Sequence, residues 1–112
     1  MRITTRQIND VTILDLNGKI TIGTGDIALR QALSEALVAG ARNLLVNMAR
    51  VTMIDSSGIG ELVSGYTTTA NHGGRLKLCS LPPKVSDILE ITQLITVFEV
   101  FDSEQEAIES FA

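Results

Sequence analysis

A carboxylate and two hydroxyls stand side by side at Asp55-Ser56-Ser57, and Gly58-Ile59-Gly60 follows at once. The apolar, strand-like run Val51-Thr52-Met53-Ile54 comes before them. Ile59, Leu62, Val63, Tyr66 and Ala70 come after, at the spacing of one helix face. The pattern predicts a turn from strand to helix. At such a turn the first backbone N–H groups of the helix have no partners and carry the positive end of its dipole. The chemistry on offer is therefore the holding of an oxyanion. Gly58 and Gly60 carry no side chain, so the turn is expected to present a bare wall to a phosphate or to another backbone. Ser56 has two readings here: a helix N-cap, or a hydroxyl that accepts a phosphate.

Other chemistries fit less well. A dinucleotide fingerprint would continue Gly58-Ile59-Gly60 with a third glycine at position 63, where Val63 stands. A hydrolase elbow would need glycine two residues before its serine, but Ile54 and Asp55 occupy those places. It would also need a base, and the lone histidine, His72, lies roughly 24 Å farther along the same helix at 1.5 Å per residue. A phosphoaspartate receiver would place Asp55 at a strand end but would need an acidic pair for magnesium, and only Asp10 is near a strand end early in the chain. No His/Cys cluster has metal-ligand spacing. Cys79 alternates with core residues and reads as an inert buried thiol. These readings leave no intrinsic catalysis, no metal and no cofactor expected.

The elements that must position the turn can be read in order. Residues 2–8 and Val11–Leu16 form two strands joined at Asn9-Asp10, an antiparallel hairpin. Asn17-Gly18 is expected to end the second strand, Lys19–Ile22 to form a short extended segment, and Gly23-Thr24-Gly25-Asp26 to form a loop. Leu29, Ala32, Leu33, Ala36 and Leu37 mark a first helix closed by Gly40. Leu44–Met48 is apolar nearly throughout, as in a parallel strand covered on both faces. After the central helix, which ends at Asn71-His72-Gly73-Gly74, come a strand at 75–80, a helix opened by Pro82-Pro83, and a strand at 97–101. Last is a helix capped by Ser103 with Glu106 in a capping box. Thr67-Thr68-Thr69 weaken the central helix and are expected to be exposed. The fold class is α/β: one domain over residues 1–112, with a mixed central sheet made of an N-terminal hairpin and then alternating helices and strands, and helices packed on it.

Composition bounds the function. With 45% hydrophobic and 20% charged residues in 112, one packed core is expected. The net charge of −4 and 4% aromatic content argue against nucleic acid as a partner. No apolar run reaches the length of a membrane span, and a single cysteine excludes an internal disulfide, so a cytoplasmic location is expected.

The strand ending in Met53-Ile54, the run Asp55-Ser56-Ser57-Gly58-Ile59-Gly60 and the helix after it resemble the STAS domain family, which includes anti-sigma factor antagonists and domains of sulfate transporters. The resemblance extends over the hairpin, the first helix, Gly73-Gly74 and the closing strand and helix. It implies phosphorylation at Ser56, the serine directly after the aspartate. It also implies a partner surface of Asp55, Ser57, Gly58, Ile59 and Gly60 with Thr24 and Asp26 beside them. The implied partners are an anti-sigma factor that is also a serine protein kinase, and a metal-dependent serine phosphatase. The oligomeric state stays open, with a weak homodimer as one form it could take. Phosphorylated members often carry an acid soon after the glycine that ends the second strand; here Gly18-Lys19-Ile20 is followed by Thr21, and the nearest acid is Asp26. Two functions stay open: a phospho-switched binding module, and an unswitched interaction subunit of a membrane-associated or lipid-transport complex.

Overall fold

The computed structural model describes all 112 residues. Five strands lie in the order of the chain: β1 (Arg2–Ile8), β2 (Val11–Ile20), β3 (Asn43–Ile54), β4 (Arg75–Cys79) and β5 (Val100–Phe101). The β1–β2 hairpin is antiparallel, with Arg2 opposite Asn17 and Ile8 opposite Val11. The remaining neighbours are parallel. Each parallel step is bridged by a helix: α1 (Gly25–Val38), α2 (Ser56–Asn71) and α3 (Pro83–Ile91), with α4 (Glu104–Ser110) after the last strand.

Both faces of the sheet are covered, unequally. On one face Leu14, Leu16, Leu44, Val46 and Met48 meet Leu29 and Leu33 of α1, Leu62 of α2 and Leu89 of α3 in the main core. On the other, Val11, Ile13, Leu45 and Cys79 meet Ala107 of the short α4 and Phe111 just after it. Alternation along β2 and β3 divides their buried apolar residues between the two cores, Leu14 and Val46 to one and Ile13 and Leu45 to the other.

Four expectations need correction. Asn17-Gly18 does not end the second strand. Gly18 takes φ +120°, which glycine adopts freely, and pairing resumes through Lys19 and Ile20 after irregularities in register. Leu44–Met48 and Val51–Ile54 are likewise one continuous strand. The last strand is only Val100–Phe101. Gln93 in the left-handed region stops α3, and a single 3-10 turn, Leu94–Thr96, takes up the amides of Val97 and Phe98, which bond Leu94 O instead of the sheet. Finally, Thr69 is fully buried, its hydroxyl donating to Gly65 O at 2.7 Å; only Thr67 and Thr68 are exposed. The helix ends agree with their signals. Gly40 and Gly73 have positive φ just beyond α1 and α2, and Ser103 accepts from the Glu106 amide at 3.2 Å.

Candidate functional site

The serine turn lies at the carboxyl ends of β2 and β3, where α/β folds place their sites. β3 ends at Ile54 and α2 begins at Ser56, so one residue, Asp55, makes the corner. It is extended (φ −112°, ψ −174°) and serves as the N-cap. Its Oδ1 accepts from Gly58 N–H at 3.0 Å and its Oδ2 from Ile22 N–H at 3.0 Å. The carboxylate thus ties the start of α2 to the loop that leaves β2. Hydrogen bonds from Gly58 first and Ile22 second hold its pKa below the ordinary carboxylate value, so it is ionised at neutral pH.

Because Asp55 caps the helix, Ser56 does not. Ser56 sits at the first helical position, exposed, with no hydrogen bond to its hydroxyl; Ser57 beside it is half-buried. The N-cap reading of Ser56 is thereby corrected. Gly58 also departs from expectation. It is buried, and a Cβ there would meet Ile20 O at 2.2 Å, Ile20 Cγ2 at 2.8 Å and Ile54 Cγ1 at 2.8 Å. Its bare wall faces the end of β2, so it is closed to a partner. Gly60 is the open one: exposed, with nothing within 4 Å of where its Cβ would stand. Ile59 is half-buried against the main core.

Of the two residues placed in the β2–α1 loop, Thr24 is exposed at the N-cap position of α1. Asp26 is buried inside the first turn, its carboxylate accepting from the Ile27 amide at 2.8 Å, and is not presented at the surface. The segment read as a loop at 23–26 is helical from Gly25. That glycine was not singled out from the sequence, yet its missing side chain is as necessary as that of Gly58. A Cβ on it would stand 2.0 Å from Lys19 O. The two helices that converge on the site therefore both rest, through a glycine, on the last residues of β2.

The apolar rim was not legible in the residue pattern. Ile22 is 74% exposed and Met53 52% exposed, and both sit beside the serine turn. The spacing assigns Ile22 only to a short extended segment, Lys19–Ile22, and says nothing of its exposure; the bond from its amide to Asp55 fixes where it stands. His72 lies at the far end of α2, its ring nitrogen 2.8 Å from Thr68 O. Cys79 is fully buried, and burial pushes its thiol up to about 11. No helix is long and apolar enough to cross a membrane.

Comparison with known proteins gives a consistent picture. The family model described as STAS domain matches residues 2–107. An anti-sigma F factor antagonist of Paenibacillus polymyxa is 25% identical over 99 residues, 88% of this chain and 84% of the relative. A crystal structure from Thermotoga maritima, of a protein provisionally named an anti-sigma factor antagonist, superposes with TM-score 0.89 at 26% identity, covering 96% of this chain and 92% of that one. The phosphorylated form of the Bacillus cell fate determinant SpoIIAA shares the fold with TM-score 0.76 at 20% identity, over 99% of this chain and 100% of that one.

Proposed function

The chain belongs to the STAS domain family, and from that premise we propose that it is an anti-sigma factor antagonist of the cytoplasm, switched by phosphorylation at Ser56. The unphosphorylated form binds an anti-sigma factor that is itself a serine kinase, and so releases a sigma factor. Phosphate on Ser56 ends the binding, and a metal-dependent phosphatase restores it. The protein catalyses nothing itself. The observation that carries this reading is the free, exposed hydroxyl of Ser56 at the first position of α2, left available because Asp55 does the capping.

The physics of the switch follows from that position. A phosphoserine brings roughly −1.5 to −2 charge. The helix N-terminus tolerates it, since free N–H groups and the dipole stabilise an anion there. A partner seated on Ile22, Met53, Thr24 and Gly60 would instead have to bury that charge beside the ionised Asp55. A loss of about 3–4 kcal/mol corresponds to two to three decades in affinity. No rearrangement of the domain is required.

The test is to incubate the protein with ATP and its cognate anti-sigma kinase and to measure intact mass. One phosphate should be added, Ser56→Ala should take up none, and Ser57→Ala should still take it up. Phosphate uptake that survives Ser56→Ala but not Ser57→Ala moves the switch by one residue. No uptake by the wild type favours the unswitched interaction subunit.

A further inference from the structure

The short α4 leaves part of its sheet face bare, and that bare area holds a hollow of about 500 Å³ on β1, β2 and β3. Its composition is unusual for a chain of net charge −4, since three arginines line it: Arg2, Arg6 and Arg50. Arg6 is engaged. It forms a two-point pair with Asp15, at 2.5 and 2.9 Å, and a second pair with Glu104 of α4. Asn47 completes this floor by donating to Glu104 at 3.1 Å. The floor is internally satisfied. Arg2 and Arg50 are different, because neither takes part in any of the four ion pairs of the molecule.

The strand register brings these two together. Arg2 pairs with Asn17 across the hairpin, and Asn17 pairs with Arg50 across the parallel ladder. Arg2, Asn17 and Arg50 thus form one row over three adjacent strands. At the usual strand spacing, roughly 10 Å separates the outer Cα atoms, which lets two arginine side chains converge above the central amide. The row exists because of a bulge. Between the pairs Asp15↔Asn47 and Asn17↔Arg50, β3 advances one residue more than β2. In a regular ladder Ala49 would stand opposite Asn17; the extra residue puts Arg50 there. Bulges commonly re-aim a side chain toward a site.

We propose that this row is a binding site for a small molecule bearing two oxyanion groups, such as a diphosphate or a dicarboxylate. Arg2 and Arg50 would each take one group through the fork of their N–H donors, and the side-chain amide of Asn17 would donate between them. The site is separate from the serine turn and does not depend on the reading of Ser56.

The experiment is a titration of the isotopically labelled protein followed through its amide resonances, with sodium pyrophosphate and sodium succinate as separate probes at constant ionic strength. Saturable shifts are expected at Arg2, Asn17 and Arg50 and in the Asn17 side-chain amide. Whichever probe produces them identifies the group recognised. Arg50→Gln should weaken binding about tenfold or more, the effect of removing one charge-assisted pair, and Asn17→Asp should abolish it by placing a negative charge in the row. Both residues are exposed, and the same spectra verify that each variant stays folded. Shifts centred on Ser56–Ile59, the competing helix N-terminus, would overturn the proposal. So would the absence of saturation with both probes, or equal binding by the wild type and both variants.

Discussion

Two glycines separated by a single residue, Gly58 and Gly60, should respond in opposite ways to the same substitution. At Gly60 an added methyl meets nothing within 4 Å. Gly60→Ala then exchanges a poor helix former for the best one on an exposed helix position, a gain of about 0.5–1 kcal/mol. At Gly58 the same methyl meets Ile20 O at 2.2 Å. An ordinary carbon–oxygen contact lies more than an ångström farther out, and the obstacle is backbone in the interior of the domain, which cannot swing aside. Relief requires the start of α2 to lift away from β2, loosening the Asp55 bonds to Gly58 and Ile22. Overpacking of this kind costs about 1–3 kcal/mol, and the helix-propensity gain offsets no more than about 1 of it. Each kcal/mol moves Tm by roughly 4–8 °C in a domain near this size. Thermal melting should therefore place Gly60→Ala a few degrees above the wild type and Gly58→Ala below it, by about 10 °C if the full cost is felt. Equal Tm values for the two variants, or Gly58→Ala above Gly60→Ala, would refute the contact argument.

Two further outcomes follow from titratable groups. The pKa of Asp55 is depressed in the folded state, so the stability it contributes is fully present above its unfolded pKa and is lost as pH falls through the folded one. Asp55→Asn keeps one accepting oxygen but cannot satisfy both amides; its melting deficit against the wild type should be largest near neutral pH and shrink once pH drops below about 4. The Cys79 thiol, buried and raised to about 11, should resist alkylation at pH 8 in the native protein and react promptly in denaturant; rapid native labelling would contradict its placement.

The order of elements was legible because each has its own period. The heptad-like stripe of α2, the double-sided apolar run of β3 and the capping box of α4 all follow from spacing within one segment. What could not be read depends on partners far apart in sequence. The role of Gly58 is decided by Ile20, and that of Gly25 by Lys19. Lys77 looks like a surface residue of β4. Yet it is buried, its ammonium bonded to Ser110 O at 3.0 Å and Ser110 Oγ at 2.9 Å and lying 4.6 Å from the centre of the Phe111 ring. The assignment of the N-cap was also a tertiary matter. Asp55 and Ser56 are both good caps by type, and the second amide offered by Ile22 accounts for the carboxylate taking the position.

The central claim is that a charge at Ser56, and not a change of fold, ends partner binding. It is tested most directly by isothermal titration of the anti-sigma partner into four forms of the protein: wild type, Ser56→Ala, Ser56→Asp and the form phosphorylated on Ser56, with melting recorded for each. Since Ser56 is exposed and Asp55 caps the helix, Ser56→Ala should change stability by no more than about 0.5 kcal/mol, and Ser56→Asp should melt at or above it, because a carboxylate suits a helix N-terminus. Affinity should run the other way, with Ala equal to the wild type, Asp weaker, and the phosphorylated form lower by two to three decades. Equal affinities across the four forms, or a loss of binding that tracks a loss of folded protein, would contradict the account.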